Sequence, residues 1–209
     1  MEVVLFGASG MIGSRILREL VSRGHQVTAV VRNPSRVEPH PQVKTVAGDQ
    51  TDVADVVRLV KGADAVITAY SPGVGTETEI LDATRWLIAG TKQAGVKRLI
   101  MVGGAGSLEV APGVQLVDTP QFPTGWKAIA LAHRDTLPIL RRSDLDWTNL
   151  SPAAEIQPGE RTGKFRRGAN TLLVDGQGHS RISAEDYAIA IVDELEHPAH
   201  VRQRFTVAY

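Results

Sequence analysis

Residues 7–13 read Gly7-Ala8-Ser9-Gly10-Met11-Ile12-Gly13 and directly follow the apolar run Val3–Phe6. Three glycines between a predicted strand and an amphipathic predicted helix are typical of a loop that approaches a pyrophosphate closely. Glycine permits the tight turn, and the helix N-terminus offers free N–H groups and the positive end of a dipole. The spacing is G-x-x-G-x-x-G and not the G-x-G-x-x-G of many dehydrogenases. A glycine-rich turn without a ligand is the alternative interpretation.

The chain beyond this loop alternates short apolar runs with longer segments of helical periodicity. The runs are rich in Val and Ile, which is typical of strands buried on both faces of a parallel sheet. Helices are predicted over residues 11–23, 52–61, 76–94 and 125–142, and strands at Val3–Phe6, Val27–Val31, Val43–Val46, Ala65–Ala69, Leu99–Val102 and Trp147–Leu150. Such alternation predicts right-handed βαβ units. We therefore expect an α/β protein with a doubly wound, mostly parallel Rossmann sheet and helices on both faces.

Residues with capping preferences stand at the ends of several predicted helices. Side chains that accept hydrogen bonds favour helix starts, and glycine favours the left-handed residue after a helix. These residues are the capping-box pairs Thr76/Glu79 and Ser183/Asp186, Asn33 before Pro34, Asp52, and the C-terminal glycines Gly24 and Gly95.

The pattern changes after Leu150. Residues 151–180 contain two prolines and five glycines, with short extended segments near Lys164–Arg167 and Leu172–Val174. A last helix over 184–196 and a last strand at Arg204–Ala208 follow. This tail is too short for a second domain, so we expect one domain over 1–209. Residues 151–180 are expected to form a cap-like substrate loop over the strand ends, where such sheets bind ligands.

Composition excludes several classes of function. The chain has 209 residues, 23 basic and 23 acidic, and no cysteine. Zero net charge argues against nucleic acid and an acidic membrane as partners, and absent thiols exclude disulfides and Cys-type metal sites. The six histidines are scattered, so no metal site is expected, and His133 is expected to pack in its helix. No secretory signal or membrane span is visible, so we expect a cytoplasmic monomer or homodimer.

The end of the second predicted strand bears on the choice of cofactor. An acidic residue about 20 positions beyond the glycines binds the ribose 2′-hydroxyl of NAD, whereas an arginine nearby accommodates the 2′-phosphate of NADP. Here Arg32 lies 19 residues beyond Gly13 and no carboxylate is present. The sequence therefore favours NADP(H), with Ser9 as a second donor. A solvated arginine at a strand end is the alternative.

Further loops fall where this fold holds a dinucleotide. Asp49 follows the third strand and would bind the adenine amino group, although a purely structural turn is an equal alternative. The loop after the fourth strand would run along the ribose and pyrophosphate. The predicted cofactor-binding residues are Gly7, Ser9, Gly10, Met11, Ile12, Gly13, Arg32, Asn33, Asp49, Gln50, Ala69, Tyr70, Ser71, Gly103, Gly104, Pro152 and Ala153.

Five stretches resemble the atypical NAD(P)H-binding branch of the short-chain dehydrogenase/reductase superfamily. They are Gly7–Gly13, Val102–Leu108 running on through Pro112-Gly113, Trp147–Ala153, Pro158–Gly163 and Arg181–Ala188. Within that branch the chain is most similar to bacterial NADH-flavin reductase-like proteins, and more distantly to the biliverdin/flavin reductases. The likeness covers essentially the whole chain. It implies that NAD(P)H reduces a loosely bound flavin, quinone or dye-like acceptor, with flavin as a substrate.

The acid–base pair best known in that superfamily is absent. A Tyr-x-x-x-Lys pair supplies a phenol of lowered pKa, but the positions four after Tyr70 and Tyr187 are Val74 and Ile191, and Tyr209 ends the sequence. Ser107 stands near the superfamily's serine position and Lys127 near the start of the relevant helix. These two are the candidate catalytic residues.

Hydride transfer to a flavin needs little acid–base help, because the ring delocalises the charge. Two alternatives stay open: a non-catalytic NADP-sensing regulator, and an atypical sugar-nucleotide-type epimerase or dehydratase using Lys127 or Glu155. Two other groups of side chains are candidate substrate contacts. Phe122 and Trp126 could stack on a planar substrate, with packing against the helix as the alternative. A set of basic side chains could bind an acidic group of the substrate, with solvated surface charge as the alternative; it consists of Arg161, Lys164, Arg166 and Arg167.

Overall fold

The computed structural model describes residues 1–209 and contains one eight-stranded sheet with helices on both faces. The strands are β1 (Glu2–Phe6), β2 (Gln26–Val31), β3 (Val43–Ala47), β4 (Ala65–Thr68), β5 (Arg98–Val102), β6 (Glu109–Ala111), β7 (Val114–Gln115), β8 (Asp146–Ser151), β9 (Glu155–Gln157), β10 (Arg166–Gly168), β11 (Arg181–Ser183) and β12 (Gln203–Ala208). The helices are α1 (Met11–Ser22), α2 (Val53–Val60), α3 (Glu79–Gln93), α4 (Thr124–Arg141) and α5 (Ala184–Glu196).

The strand order of the main sheet is β10-β12-β8-β5-β4-β1-β2-β3. All neighbours pair in parallel except β10, which runs antiparallel to β12 at the edge. The order reverses between β1 and β4, so the loops that follow these two strands diverge to opposite faces and leave a crevice. The expected doubly wound α/β fold is confirmed.

Each face of the sheet carries its own core. Successive side chains of a strand point to opposite faces, so Val3 and Leu5 of β1 join the core beneath α1 and α5, whereas Val4 and Phe6 join the core beneath α2, α3 and α4. All four are at most 4% exposed. Burial on both faces explains why β1 has an uninterrupted apolar run at Val3–Phe6.

Most of the predicted caps form. Asp52 accepts hydrogen bonds from Ala54 N and Asp55 N, and Ser183 accepts one from Asp186 N. The return bond of the Ser183/Asp186 capping box does not form, because Ser183 N donates to Tyr209 Oη. Asn33 caps a 3₁₀ turn, and Gly24 and Gly95 have φ of 82° and 79°. The Thr76/Glu79 capping box is wrong: α3 begins at Glu79, after turns that include Thr78, and Thr76 Oγ1 donates to Gly73 O.

The segment after β8 differs in part from expectation. The extended segment predicted at Lys164–Arg167 is β10, which pairs with β12. The one predicted at Leu172–Val174 is not a strand, because the chain makes only a single bridge there, between Thr171 and Glu109. None of the five helices is long and apolar enough to cross a membrane.

Candidate functional site

A cleft lies at the carboxyl ends of β1 and β4, where the strand order reverses. It consists of a glycine-loop cavity of about 170 Å³ and an apolar cavity of about 390 Å³. The two are continuous because both are lined by Gly10, Ala69, Tyr70 and Ser71. The two loops predicted to border a dinucleotide therefore meet in one elongated site.

Close packing fixes the glycine loop. Gly7 has φ of +75°, and a Cβ there would lie 2.6 Å from Ala69 O. A Cβ on Gly13 would lie 2.0 Å from Gly7 O, so α1 approaches the loop as only glycine allows. Gly10 caps α1 without a side-chain hydrogen bond, which leaves the first N–H groups of the helix free for an anion.

The glycine-loop cavity contains the predicted residues Gly7, Ser9, Arg32, Asp49 and Gln50. Arg32 is exposed at the end of β2 and makes no hydrogen bond or ion pair. Arg36, which the sequence interpretation missed, lines the same cavity and its guanidinium is also unpaired. Two free guanidinium groups at one end of the cleft suit a phosphate group. The sequence does contain a signal for Arg36, because the turn that Asn33-Pro34 predicts brings Arg36 close to Arg32.

Two predicted residues of this region have structural partners. Asp49 Oδ1 accepts hydrogen bonds from Thr51 N and Thr51 Oγ1, so its carboxylate closes a turn while bordering the cavity. Asn33 Oδ1 accepts from Ser35 N and Ser35 Oγ and lies outside both cavities. Gln50 is fully buried, and its Nε2 has no partner in the protein. A buried donor without a partner is costly unless a ligand satisfies it.

The apolar cavity continues beyond Ala69–Ser71, the loop that it shares with the glycine-loop cavity. Its predicted residues are Met11, Ile12, Gly103, Gly104, Pro152 and Ala153. One face of α4 closes it, formed by Trp126, Ile129, Ala130 and His133 at helical spacing. Phe122 lies at the same wall, so the aromatic pair considered for stacking does border the cavity.

His133 is the polar side chain at the α4 wall. It packs in its helix as expected, but its ring lacks the hydrogen bond that a buried polar group normally makes. Its Nδ1 is buried and has no hydrogen-bond partner. Burial lowers the pKa of His133 to about 4, so the ring is neutral near pH 7. A Cβ on Gly104 would lie 2.8 Å from His133 Cβ, so the glycine lets α4 approach the loop after β5. In the sequence, the position of His133 seven residues after Trp126 indicates that the two side chains lie on the same face of α4.

The lowered pKa of His133 predicts how the free energy of unfolding changes with pH. The unfolded chain protonates this histidine below about pH 6.5, whereas the folded protein keeps it neutral down to about pH 4. Its contribution to stability is therefore full above pH 6.5 and is lost as the pH falls from 6.5 to 4. Between about pH 7 and about pH 5, we expect wild type to lose about 2 kcal/mol more than His133→Phe. Urea unfolding of both proteins measures this, and equal losses would contradict a buried neutral ring.

Neither candidate catalytic residue lines the apolar cavity. Ser107 is 7% exposed, and its Oγ accepts a hydrogen bond of 2.8 Å from Arg204 Nη1. Lys127 is exposed on α4 beside the lining face and not on it. Glu155, the other acid–base candidate, lines a different surface cavity. The structure thus places all three groups away from the apolar cavity.

The tyrosines do not replace the missing acid. Tyr187 is fully buried, and its hydroxyl donates to Leu150 O. Tyr209 donates to Asp186 Oδ2. Tyr70 borders both cavities, but burial and the carboxylates of Glu79 and Asp49 raise its pKa above the ordinary value of 10, which Arg32 only partly offsets. No phenol in the cleft has the lowered pKa that carbonyl reduction uses.

The basic loop, residues 161–167, makes its side-chain contacts away from the cleft. Arg161 makes two hydrogen bonds to Glu19 of α1, at 2.9 and 2.8 Å, and these bonds lower the pKa of Glu19. Arg166 donates to Tyr209 O and Arg167 pairs with Asp193. None of the four basic side chains lines the apolar cavity. The structure thus contradicts a phosphate clamp formed from this loop.

These features define a dinucleotide-binding Rossmann protein, and comparisons with known proteins agree. A family model described as NAD(P)H-binding matches residues 7–198. The chain therefore belongs to the NAD(P)H-binding family, and the resemblance drawn from its motifs is confirmed at that level.

Three solved structures are similar over the whole chain. A candidate exported protein from Burkholderia pseudomallei is 53% identical, with 100% of both chains covered and a TM-score of 0.92. A candidate epimerase from Bacteroides thetaiotaomicron is 42% identical, covering 100% of this chain and 96% of that one, with a TM-score of 0.94. A candidate NADH-flavin reductase from Streptococcus pneumoniae is 33% identical, covering 100% and 99%, with a TM-score of 0.87.

Proposed function

We propose that the protein is an NADPH-dependent oxidoreductase that reduces a flavin or a quinone-type acceptor. The observation that carries this proposal is the asymmetry of the cleft, which has two unpaired guanidinium groups at one end and an apolar cavity at the other. The reduced nicotinamide supplies a hydride when bound, and a proton from solvent completes the two-electron reduction of the acceptor. The candidate NADH-flavin reductase from Streptococcus pneumoniae supports this reaction class.

The residues of the glycine-loop cavity fit the phosphate-bearing part of the cofactor. The free N–H groups at the start of α1 would bind the pyrophosphate, which Gly7, Gly10 and Gly13 allow to approach. The unpartnered Nε2 of Gln50 offers a further donor to the bound nucleotide. The nicotinamide would then lie between Ala69–Ser71 and Pro152-Ala153, at one end of the apolar cavity.

Arg32 predicts a preference for NADPH over NADH. Arg32→Asp removes a charge-assisted hydrogen bond to the 2′-phosphate, and its carboxylate suits a ribose hydroxyl. We expect wild type to bind NADPH more tightly, and the variant to lose NADPH affinity by about 10- to 100-fold while keeping or gaining NADH affinity. Arg36→Ala is expected to lose less. Calorimetric titration with both cofactors measures these affinities.

Arg142→Asp is the matched control, because Arg142 is exposed, lies outside the cleft and pairs with no acid. It changes the net charge by the same amount and should leave both affinities unchanged. A wild type that binds NADH more tightly, or an equal loss in the control, would refute the role of Arg32.

The polar groups around the apolar cavity support a reaction that needs little acid–base catalysis. The phenol of Tyr70 and the neutral ring of His133 can hold hydrogen bonds, but neither has a pKa matched to proton transfer near pH 7. A flavin or quinone spreads the added charge over its ring system. Orientation of two planar rings then becomes the main task of the protein.

The similarity to a candidate epimerase favours one other function. Epimerisation requires an acid or base at the substrate, and neither Lys127 nor Glu155 lines the apolar cavity. A non-catalytic NADP sensor on the same fold would bind the cofactor without turnover.

Initial rates of NADPH oxidation with FMN, FAD, riboflavin and a naphthoquinone separate these functions. Saturable rates support the reductase, and NADPH binding without turnover of any acceptor would refute it.

A further inference from the structure

The walls of the apolar cavity carry no charged side chain. No Asp, Glu, Lys or Arg lines its volume of about 390 Å³. The wall assigned to the electron acceptor lies away from the glycine loop and consists of apolar and aromatic side chains, including Phe122, Trp126, Ile129 and Ile156. An ion placed there without a partner would lose its hydration with no compensating contact. Charge therefore discriminates strongly between candidate acceptors.

The nearby basic loop does not compensate for this lack of charge. The guanidinium groups of Arg161, Arg166 and Arg167 are bound to Glu19, Tyr209 O and Asp193. The unpaired guanidinium groups of the cleft, Arg32 and Arg36, belong to the glycine-loop cavity at its other end. A phosphate or sulfonate held inside the cavity would therefore contact no cation.

Two features of α4 suit a planar carbonyl compound. Trp126 is 68% exposed at the cavity and offers an aromatic face for stacking. About two helical turns further along α4, the His133 ring has no hydrogen-bond partner at its buried Nδ1. A neutral imidazole always carries one N–H donor, and a ring carbonyl of a flavin or quinone is an acceptor for it.

We propose that the apolar cavity selects uncharged planar acceptors, riboflavin or a neutral quinone rather than a phosphorylated or sulfonated form, and that His133 donates a hydrogen bond to a ring carbonyl. This proposal rests on the proposed function, because it assigns the cavity to the electron acceptor. It adds the charge of the substrate and the residue that recognises its carbonyl. His133 acts here as a binding and orienting group, and the proton of the reduction comes from solvent.

Riboflavin and FMN test the charge selectivity, because they share one isoalloxazine ring and differ by a phosphate. Quenching of flavin fluorescence by the protein–NADP⁺ complex measures affinity independently of turnover. We expect riboflavin to bind at least about 10-fold more tightly than FMN, as for an anion without a partner. Equal affinities, or tighter binding of FMN, would overturn the selectivity.

An added cation should reverse the preference. Ala154 lines the cavity and is exposed, so a longer side chain fits without disturbing the core. We expect Ala154→Arg to bind FMN more tightly than riboflavin, whereas Ala154→Gln, of similar length and no charge, keeps the wild-type order. A reversed order in both variants, or in neither, would contradict the charge argument.

His133→Phe and His133→Gln test the hydrogen bond. Phe keeps the shape of the ring and removes the donor, so riboflavin affinity should fall about 10-fold, and Gln should restore part of it. The affinity for NADP⁺ should stay at the wild-type value in both, which separates lost recognition from lost folding. Unchanged riboflavin affinity in His133→Phe would remove His133 from the site. If riboflavin binds selectively but is never reduced, the proposed function fails while the selectivity stands.

Discussion

Gly13→Ala is expected to abolish measurable NADPH binding and to lower the free energy of unfolding by about 3 kcal/mol. The new Cβ would lie 2.0 Å from Gly7 O, which is backbone and cannot swing aside. Gly7 is itself held, because its φ is +75° and Ala69 O lies against its open side. Since Gly7 O also accepts a hydrogen bond from Gly10 N, relief of the clash would open the turn that faces the cofactor.

Gly125→Ala is the matched control for this substitution. Gly125 lies in the first turn of α4 with no heavy atom near the position of a Cβ. Its replacement should change stability by less than about 0.5 kcal/mol and leave NADPH affinity unaltered. Thermal unfolding and calorimetric titration of both variants measure the contrast. A Gly13→Ala protein that melts and binds like wild type would show that the loop is not packed as described.

Asp186→Ala is expected to release the loop over residues 158–163 and to destabilise the protein by about 3 kcal/mol. The carboxylate is fully buried at the start of α5 and accepts hydrogen bonds from Thr162 N and Gly163 N, both at 2.8 Å, and from Tyr209 Oη at 2.9 Å. A methyl group replaces none of these contacts. Urea unfolding gives the loss of stability, and the rate of tryptic cleavage after Arg161 and Lys164 reports the release of the loop.

Glu160→Ala removes one negative charge from the same loop and is the control. The Glu160 side chain is exposed and makes no hydrogen bond in the structure. This variant should unfold and be cleaved like wild type. If Asp186→Ala is as resistant to trypsin as Glu160→Ala, the carboxylate does not hold the loop.

The fold was predictable from the sequence because burial on both faces leaves a direct pattern. Runs such as Val3–Phe6 are apolar without interruption since both sides of the sheet are covered. Short elements left no such pattern: β6 and β7 hold three and two residues, too few for a period to appear. The start of α3 was misplaced because a Thr-x-x-Glu pair also fits a turn that precedes a helix.

The candidate site was predictable where backbone geometry demands a residue type. Gly7 and Gly13 are required by a positive φ and by a close approach, and both requirements are visible as glycine. The sequence does not show the direction in which a side chain points. Ser107 and Lys127 stand at plausible places along the chain, but Ser107 turns to Arg204, and helical phase directs Lys127 away from the cavity.

The overlooked groups are those whose role depends on tertiary neighbours. His133 was interpreted as a packing residue because its spacing from Trp126 shows only a shared face of the helix, and not that this face borders a cavity. Its unpartnered Nδ1 and lowered pKa arise from the elements packed around α4. The four basic residues after Pro158 were candidates for a phosphate clamp. Arg161 and Arg167 instead bind Glu19 of α1 and Asp193 of α5, which are distant in sequence.

The central claim is that this cleft passes electrons from NADPH to a planar acceptor, and one anaerobic measurement tests it most directly. Mixing the protein with NADPH and excess riboflavin should consume both in a one-to-one ratio, at a rate proportional to protein concentration and saturable in NADPH. Arg32→Asp should require more NADPH for the same rate. NADPH that binds saturably but is never oxidised, with riboflavin or a neutral naphthoquinone as acceptor, would contradict the account.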